Sequence, residues 1–378
     1  MNYKVSIKRY ILLFVPLMFL SCEKEVIQKD FDRALEQLVA HHALPSLSAA
    51  IFKENETVWT TFYGYADIKN EREADEETIY HIGSISKLFI VTAVMQLKEQ
   101  GKLDLNQDVS TYLPVVFRHP GFPDIPITAK MLLTHTAGLS WPKSYDSQKG
   151  MWNPFEPDQG PAPNEWIPEF LIPGGIHYDP GLWKNIRPGD YEFYSNIGTC
   201  VAAYVVEQLS GMDFREYCKK YIFDPLKMYN TSYNYGDLDW EKIALLYDRQ
   251  GHASAYFDNR IYASGGAKST IVDLSHFAIC YFNKGTYQGT RILNEETIDQ
   301  IFEIHNPASG KCLIWNRYSG DWYGHSGGLD LGTTTMLSIH SDSKTGFILF
   351  TNTPSGLVDP GGDIYWLIRQ KTNEYIDR

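Results

Sequence analysis

The sequence predicts an α+β fold in which both ends of the chain build one antiparallel sheet. Strand-like runs lie near the beginning, "SLSAAIFK" and "TVWTTFYGYAD", and near the end, "WYGHSGG", "TTTMLSIHSD" and "GFILFTNT". Helical patterns occupy the middle of the chain and predict a mostly helical insertion lobe. The 378 residues, of which 43% are hydrophobic and 21% charged, suit a folded protein with a sizeable core.

The N-terminal segment, residues 1–21, is predicted to be a lipoprotein signal peptide. Three positive residues precede an apolar run over residues 10–20, which is too short to span a bilayer comfortably. The run ends in "MFLSC", which resembles a bacterial lipobox, although Phe19 stands where Leu is usual. The resemblance implies lipidation of Cys22 and a lipid-anchored protein of the cell envelope, on the periplasmic face or the cell surface. A plain secretory signal or an uncleaved anchor is the alternative.

Composition narrows the possible partners. The formal net charge of −12, with no basic tract, argues against nucleic-acid binding. Beyond Cys22 the cysteines are Cys200, Cys218, Cys280 and Cys312, and their spacing dictates no disulfide pairing. Neither CxxC, HExxH nor HxH occurs, so we expect no metal site.

The predicted elements follow one another as in a single catalytic domain. After a tether over residues 22–29, the domain covers residues 30–378, with its helical lobe at about 96–260. It opens with the helix "FDRALEQLVAHHAL", followed by a hairpin of the first two strands joined at "ENE". A long apolar helix runs from near Ser84 to about Gly101. We expect a cleft between the two lobes.

The second half of the chain contains a loop-rich stretch and further helices. Residues 140–190 are dense in Pro and Gly and hold four tryptophans, which could wall a site or pack the loop. Helical patterns return at "NIGTCVAAYVVEQLSG", "DFREYCKKYIF" and "STIVDLSHFAICYFNKG". The terminal stretch "DIYWLIRQKTNEYI" is also predicted to be a helix.

The stretch "SISK" at the start of the long helix supplies a candidate nucleophile. Positions i and i+3 share a helix face, so Lys87 is held over Ser84. A serine needs a neighbouring base, and burial can lower the pKa of a lysine enough for that role. The same S-x-x-K pattern occurs elsewhere without opening an apolar helix, as at Ser140/Lys143 and Ser341/Lys344.

The segments around this serine resemble a known family. "YHIGSISKLFIVTAVMQLKEQGKLDLNQDVSTYLP", followed by "MLLTHTAGL", is similar to the serine β-lactamase and penicillin-binding protein superfamily, in its class C-like branch. "RPGDYEFYSNIGTCVAAYVVEQLSG", "IFDPLKMYNTSY" and "ASGGAKSTIVDLSHF" fit the same branch, from about residue 31 to the C-terminus. The resemblance implies a β-lactamase/transpeptidase-like fold with Ser84 and Lys87 as catalytic residues.

The same resemblance gives the second motif, "YSN". It implies that Tyr194 is a general base or proton shuttle and that Asn196 orients the substrate or Lys87. A charged Lys87 nearby would push the phenol toward its phenolate. The alternative is a core tyrosine beside a helix cap. His135, in "LLTHTAGL", is interpreted as a structural histidine with satisfied hydrogen bonds.

The third motif is predicted at His325-Ser326-Gly327, an H-x-G variant of K-T-G that binds substrate. A literal K-T-G occurs at residues 344–346, but too few strands follow it for this fold. A histidine there is neutral or charged near its reference pKa of about 6.5, so a substrate carboxylate would be held weakly or pH-dependently. By resemblance, the backbone N–H groups of Ser84 and Gly328 form the oxyanion hole.

"GHSGG" also matches G-x-S-x-G, the nucleophile elbow of α/β-hydrolases. That assignment rests on Ser326 alone and requires an acid and then a histidine downstream, where His340 is the only histidine left. The short interval between the two residues and the missing helix after the serine argue against it.

The sequence therefore predicts an exported serine hydrolase that forms an acyl-enzyme with an ester, amide, D-amino-acid peptide or β-lactam. The narrower alternatives are a D-Ala-D-Ala carboxypeptidase or a class C-like β-lactamase proper. A non-catalytic binder of cell-wall peptides is the alternative from another class. No cofactor is implied, and the expected partners are a small-molecule or peptide substrate and the membrane that holds the lipid anchor.

Overall fold

A computed structural model describes residues 30–140, 155–307, 309–329 and 332–376 of the chain. The predicted signal peptide, the lipidation site Cys22 and the tether lie outside the described residues. Two compact units are present, one ending at Ala43 and the other starting at Leu44. In the first unit, residues 30–41 form helix α1, as the sequence predicts.

The second unit is built on a seven-stranded antiparallel sheet in the order β10-β11-β12-β13-β1-β2-β3. The N-terminal strand β1 lies beside the last strand β13, with Ala50 opposite Ile348. The prediction of one antiparallel sheet built from both chain ends is therefore confirmed. The strands of this sheet are β1 (Ser46–Lys53), β2 (Glu56–Asp67), β3 (Arg72–Glu73), β10 (Asn316–Arg317), β11 (Trp322–Leu329), β12 (Thr333–His340) and β13 (Thr345–Thr351).

Short strand pairs complete the β structure outside the main sheet. They are β4 (Tyr80–His81) with β7 (Lys268–Ser269), β5 (Leu246–Tyr247) with β6 (Ala253–Ser254), and β8 (Thr286–Tyr287) with β9 (Thr290–Arg291).

The helices of the second unit lie mainly between the two groups of strands in the sequence. They are α2 (Lys87–Glu99), α3 (Ala129–Leu133), α4 (Pro163–Leu171), α5 (Asn196–Ser210), α6 (Phe214–Cys218), α7 (Tyr262–Gly265), α8 (Ile271–Phe282), α9 (Glu295–Phe302) and α10 (Asp363–Ile376). None of the helices in the described part of the chain has the length and apolar character needed to cross a bilayer.

Helices α8 and α10 cover opposite faces of the sheet. Phe52 of β1 stacks on Phe282 of α8 with ring centroids 6.0 Å apart, while Phe347 of β13 contacts Tyr365 of α10 at 5.5 Å. Since Phe347 pairs with Ile51, the neighbour of Phe52, the two phenylalanines point to opposite faces. Every residue of β13 is accordingly buried, which explains its continuous apolar run.

The long apolar helix differs from its prediction at the N-terminal end. A 3₁₀ turn over Gly83–Ser86 comes first, and α2 then begins at Lys87. In the loop-rich stretch, Trp166 and Trp183 are buried in the hydrophobic core, which favours packing over a role as site walls. The other two tryptophans, Trp141 and Trp152, lie outside the described residues.

Candidate active site

The 3₁₀ turn that carries Ser84 lies against strand β11. Ser86 Oγ donates to the carbonyl of Gly83 at 2.6 Å and closes the turn. Gly83 has a φ of +51°, and a Cβ on it would stand 2.8 Å from the backbone nitrogen of Gly328. Glycine is therefore required here for both its backbone conformation and the close approach of β11.

Lys87 is fully buried one turn beyond Ser84. A hydrogen bond of 2.9 Å joins its Nζ to Ser84 Oγ, and Nζ also donates to the carbonyl of Ser264 at 2.7 Å. Burial holds the pKa of Lys87 well below its ordinary value; Cys200 works against that shift and the charge of Lys311 adds to it. Burial thus favours the neutral amine of Lys87, which is the form that can accept the proton of Ser84.

Tyr194 reaches the same serine from the loop before α5. Its ring centroid lies 4.9 Å from Lys87 Nζ, and its side chain is 40% exposed. Desolvation by the surrounding groups raises the pKa of Tyr194, and a hydrogen bond with Ser84 opposes that rise. The expectation that Lys87 pushes this phenol toward its phenolate is therefore wrong, because desolvation raises the pKa of Tyr194 and Lys87 is not among the groups that lower it.

The remainder of the "YSN" motif connects α5 to His135. Ser195 caps the helix by accepting from the N–H of Gly198 at 3.0 Å, and its own N–H donates to His135 Nδ1 at 3.2 Å. Since Nδ1 accepts, the neutral ring carries its proton on Nε2, which has no partner among the described residues. Asn196 Oδ1 is likewise buried without a described partner.

His135 therefore belongs to the site, in contrast to the interpretation of a satisfied structural histidine. Its ring centroid lies 4.6 Å from that of Tyr194, and its φ is +58°. Burial, followed by the charges of Lys311 and Lys87, lowers its pKa well below the ordinary value.

His325 occupies the lysine position of the third motif as a buried neutral ring. Its Nδ1 donates to the carbonyl of Ser326 at 2.6 Å, which leaves Nε2 with a lone pair and no described partner. Its ring centroid is 6.3 Å from that of Tyr194. Burial, Lys311 and Lys87 hold its pKa well below 6.5. The expected change of charge near that value is therefore wrong.

Gly327 and Gly328 bring the backbone of β11 beside the serine turn. A Cβ on Gly327 would meet the carbonyl oxygen of Ile82 at 2.1 Å, so a larger residue would push the strand away. Thr335 of the neighbouring strand donates to the same oxygen at 2.9 Å. The predicted oxyanion-hole residues, Ser84 and Gly328, consequently lie on adjacent backbone segments.

The literal K-T-G lies elsewhere. Thr345 and Gly346 belong to β13, with β12 between them and β11, and Gly346 stands opposite Phe52. Lys344, with a φ of +49°, is in the turn before β13, and Ser341 is in the same turn. Of the S-x-x-K pair that begins at Ser140, Lys143 lies outside the described residues.

Ser326 is not placed in a nucleophile elbow. It lies within strand β11 opposite Met336, and the chain continues into β12 rather than a helix. His340 is at the other end of β12, where its Nδ1 pairs with Ser343 Oγ at 3.0 Å. The α/β-hydrolase alternative is therefore excluded.

One buried residue near the site, Lys311, was missed by the sequence analysis. Its side chain is 4% exposed, and its Nζ lies 3.8 Å from Glu192 Oε1. Nζ also donates to Asn316 Oδ1 at 2.7 Å. The only signal in the sequence is a lysine directly before the apolar run "CLIW", which is too common a pattern to single out.

The four cysteines of the catalytic domain are free and buried. Cys200 is close enough to Lys87 for each to influence the pKa of the other. Within the described ranges, no cluster of three or more His, Cys, Asp or Glu side chains could hold a metal ion.

The serine lies one turn ahead of a buried lysine, on a turn that packs against an antiparallel sheet. This arrangement is typical of the serine hydrolases of the β-lactamase and penicillin-binding protein superfamily. The chain belongs to the beta-lactamase family, whose model matches residues 31–370. The predicted resemblance is thereby confirmed.

Individual relatives agree with this assignment. A Bacillus subtilis (strain 168) protein that carries the name of a penicillin-binding protein, PbpX, is 26% identical over 333 residues, which cover 86% of this chain and 75% of the relative. A solved class C beta-lactamase aligns with a TM-score of 0.71 at 18% identity, over 94% of this chain and 96% of that one. The D-amino acid amidase from Ochrobactrum anthropi SV3, complexed with L-phenylalanine, aligns with a TM-score of 0.69 at 21% identity, over 92% and 98%. These two structures support the fold alone.

Proposed function

We propose that this protein is a serine hydrolase that works through an acyl-enzyme on Ser84. The observation that carries the proposal is the 2.9 Å hydrogen bond between Ser84 Oγ and the Nζ of a buried Lys87, whose pKa burial lowers. A neutral amine at that distance can take the serine proton as the oxygen attacks a carbonyl carbon.

The neighbouring groups supply the other steps. Tyr194, hydrogen-bonded to Ser84 and protonated, passes a proton to the leaving group as the acyl-enzyme forms. The N–H groups of Ser84 and Gly328 stabilise the negative oxygen of the tetrahedral intermediate. Water then attacks the acyl-enzyme and gives a proton to Tyr194, and the acid is released as the proton held by Lys87 returns to Ser84.

The third motif favours some substrates over others. A neutral His325 offers a hydrogen-bond acceptor where a permanent cation would hold a carboxylate. We therefore propose an ester, an amide or a D-amino-acid peptide as the substrate class, ahead of a β-lactam. The D-Ala-D-Ala carboxypeptidase and the class C-like β-lactamase remain narrower alternatives, because their substrates bear the carboxylate that His325 would hold poorly.

A fluorescent fluorophosphonate, which loses fluoride as the serine oxygen bonds to phosphorus, tests the nucleophile. The wild-type protein and Ser326→Ala should be labelled, whereas Ser84→Ala should not. Labelling that survives in Ser84→Ala would overturn the assignment. Absence of labelling in the folded wild-type protein would favour the non-catalytic binder. Hydrolysis of p-nitrophenyl esters, a D-Ala-D-Ala peptide and nitrocefin by unlabelled wild-type protein then ranks the substrate classes.

We also propose that the protein is exported and lipid-anchored at the cell envelope through Cys22. The proposal rests on the positive and apolar character of residues 1–21 and on the "MFLSC" junction. Metabolic labelling with an alkyne fatty acid should mark the wild-type protein and not Cys22→Ser. Equal incorporation into both proteins would contradict lipidation at this cysteine.

A further inference from the structure

The short helix α7 (Tyr262–Gly265) contains the carbonyl group that contacts Lys87. The last carbonyls of a helix have no N–H group further along that helix to accept from, so other groups must pair with them. The carbonyl of Ser264 accepts from Lys87 Nζ at 2.7 Å. The carbonyl of Ala263, one residue earlier, accepts from the hydroxyl of Tyr233 at 3.1 Å. Two neighbouring carbonyls of α7 are therefore held by two buried side chains.

The hydroxyl of Tyr233 also contacts the turn that carries Ser84. It lies 3.2 Å from the carbonyl oxygen of Ser86, the residue directly before Lys87. A phenol has one proton, so the two carbonyls share it in a three-centre hydrogen bond. Tyr233 thus joins α7 to the turn, and these two segments supply the hydrogen-bond partners of Lys87 Nζ.

Further hydrogen bonds hold the chain beyond α7 against the same turn. The N–H of Ala267, which follows α7 by two residues, donates to Ser86 Oγ at 3.1 Å. The N–H of Ile82 donates to the carbonyl of Ala267 at 3.0 Å. These bonds fix the segment after α7, whereas the hydroxyl of Tyr233 acts on α7 itself, beside the carbonyl that accepts from Lys87.

The ring of Tyr233 is held in place independently of its hydroxyl. It is buried, and its centroid lies 5.6 Å from that of Phe214 in α6 and 5.7 Å from that of Tyr262 in α7. Its backbone carbonyl accepts from Lys268 Nζ. Burial raises the pKa of Tyr233 well above its ordinary value, so the hydroxyl keeps the proton that it donates. Removal of the hydroxyl alone therefore leaves the ring packed.

The position of the Ser264 carbonyl matters for the base chemistry of Lys87. A neutral amine has two N–H groups and one lone pair. When one N–H donates to this carbonyl, the lone pair can face Ser84 Oγ, which is 2.9 Å from Nζ. Once the amine has taken the serine proton, the same carbonyl accepts a charge-assisted hydrogen bond from the ammonium, which is stronger than a neutral one. The carbonyl thus influences both the alignment and the pKa of the base.

We propose that Tyr233 is a positioning residue of this active site. Its hydroxyl fixes α7 against the turn that carries Ser84 and thereby places the carbonyl of Ser264 on Lys87. Without the hydroxyl, two buried carbonyl oxygens would lose the proton that they share and repel each other, so α7 should move away from the turn. The effect on the reaction rests on the proposed function, whereas the placement of the carbonyl does not.

The pH dependence of fluorophosphonate labelling tests the effect on the reaction. The second-order rate constant for labelling of Ser84 should rise with pH as Lys87 loses its proton. In Tyr233→Phe the constant at high pH should fall about tenfold, because the base is misaligned. The midpoint of the rise should move to lower pH by about half a unit, because the ammonium of Lys87 loses a hydrogen-bond acceptor. A role in stability alone would leave the midpoint in place.

Two further variants control this measurement. Tyr247→Phe is the matched control, because Tyr247 is also buried and its hydroxyl accepts from the N–H of Ile68 at 2.8 Å; its rate constant and midpoint should be those of the wild type. Tyr233→p-aminophenylalanine keeps N–H donors at the place of the hydroxyl and should restore both values. It also serves if Tyr233→Phe does not fold, and a midpoint that moves in this folded variant would contradict the inference.

Crystal structures of the wild-type protein and of Tyr233→Phe test the placement itself, whether or not the protein is active. The distance from Lys87 Nζ to the carbonyl oxygen of Ser264 should be that of a hydrogen bond in the wild type and exceed about 3.5 Å in the variant. Wild-type protein that fails to label would remove the proposed function, while this distance still decides the role of Tyr233. An unchanged distance in Tyr233→Phe would overturn the inference.

Discussion

Two lysines, Lys87 and Lys268, are equally inaccessible but differ in their charged neighbours. Their exposed fractions are 0% and 2%. The pKa of Lys87 lies well below its ordinary value, and no carboxylate of the described residues contributes to that shift. Asp258, Asp158 and Asp237 all raise the pKa of Lys268, so burial lowers it only to about 8. Burial alone does not make a lysine a base at neutral pH; the absence of carboxylates is also required.

The two lysines also differ in their hydrogen-bond partners. Lys268 donates to the carbonyl of Tyr233 and lies over the ring of Tyr235, 3.8 Å from its centroid. Tyr235 in turn shares a hydrogen bond of 2.9 Å with His81 Nε2. That network connects residues with no free hydroxyl to activate, whereas Lys87 is bonded to a half-buried serine. Lys268 thus joins structural residues to one another, whereas Lys87 contacts the serine that we propose as the nucleophile.

The largest effect should follow from removal of Lys87. Lys87→Met keeps the buried volume but removes the base, so the rate of phosphonate labelling should fall by about a thousandfold or more. Lys371→Met is the control for removal of a buried lysine, since Lys371 of α10 is buried beside Glu374. It should label at the wild-type rate. Retention of more than a tenth of the wild-type rate in folded Lys87→Met would mean that another group takes the serine proton.

The second prediction concerns stability rather than reaction. The pKa of Lys268 is about 8 in the folded protein, against 10.5 for an unburied lysine. Below pH 8 both states hold the proton; between the two values the unfolded chain binds more protons, so the free energy of unfolding rises with pH. The rise attributable to Lys268 is at most about 3 kcal/mol.

Urea unfolding at a series of pH values from 7 to 10.5 measures this contribution. The wild-type protein should gain stability relative to Lys268→Met across that interval, because the variant has no proton to lose at this position. A constant difference between the two proteins would show that Lys268 titrates alike in both states. Lys371→Met again serves as the comparison for removal of a buried lysine.

The sequence was most informative where structure depends on local spacing. The i, i+3 relation placed Lys87 over Ser84, and alternating or continuous apolar runs gave the strands of the sheet. The order of strands identified His325 rather than Lys344 as the third-motif residue. These features could be predicted because they depend only on residues close in the sequence or on the order of the helices and strands.

The pKa shifts of the site residues could not be predicted from the sequence. The lowered pKa values of His135 and His325 and the raised pKa of Tyr194 arise from desolvation by segments far apart in the chain, which no local pattern reports. Lys311 was missed for the same reason, since its contact with Glu192 joins segments far apart in the chain. The carbonyl of Ser264, which accepts from Lys87 at 2.7 Å, carries no side-chain signal at all.

The third prediction, with the smallest expected effect, concerns the pH dependence of labelling after a carboxylate is placed beside Lys87, like those around Lys268. Cys200 is the suitable position, because it is buried in α5 and interacts electrostatically with Lys87. In Cys200→Asp, attraction between the two charged forms should raise the pKa of Lys87, so the rise of labelling rate with pH should shift upward by about one unit. Cys200→Ser is the matched control, since a hydroxyl can replace the thiol in its hydrogen bond with Ser264 without adding charge, and it should leave the profile in place. If folded Cys200→Asp keeps the wild-type profile, a missing carboxylate is not what separates Lys87 from Lys268, and burial alone would have to account for the neutral amine.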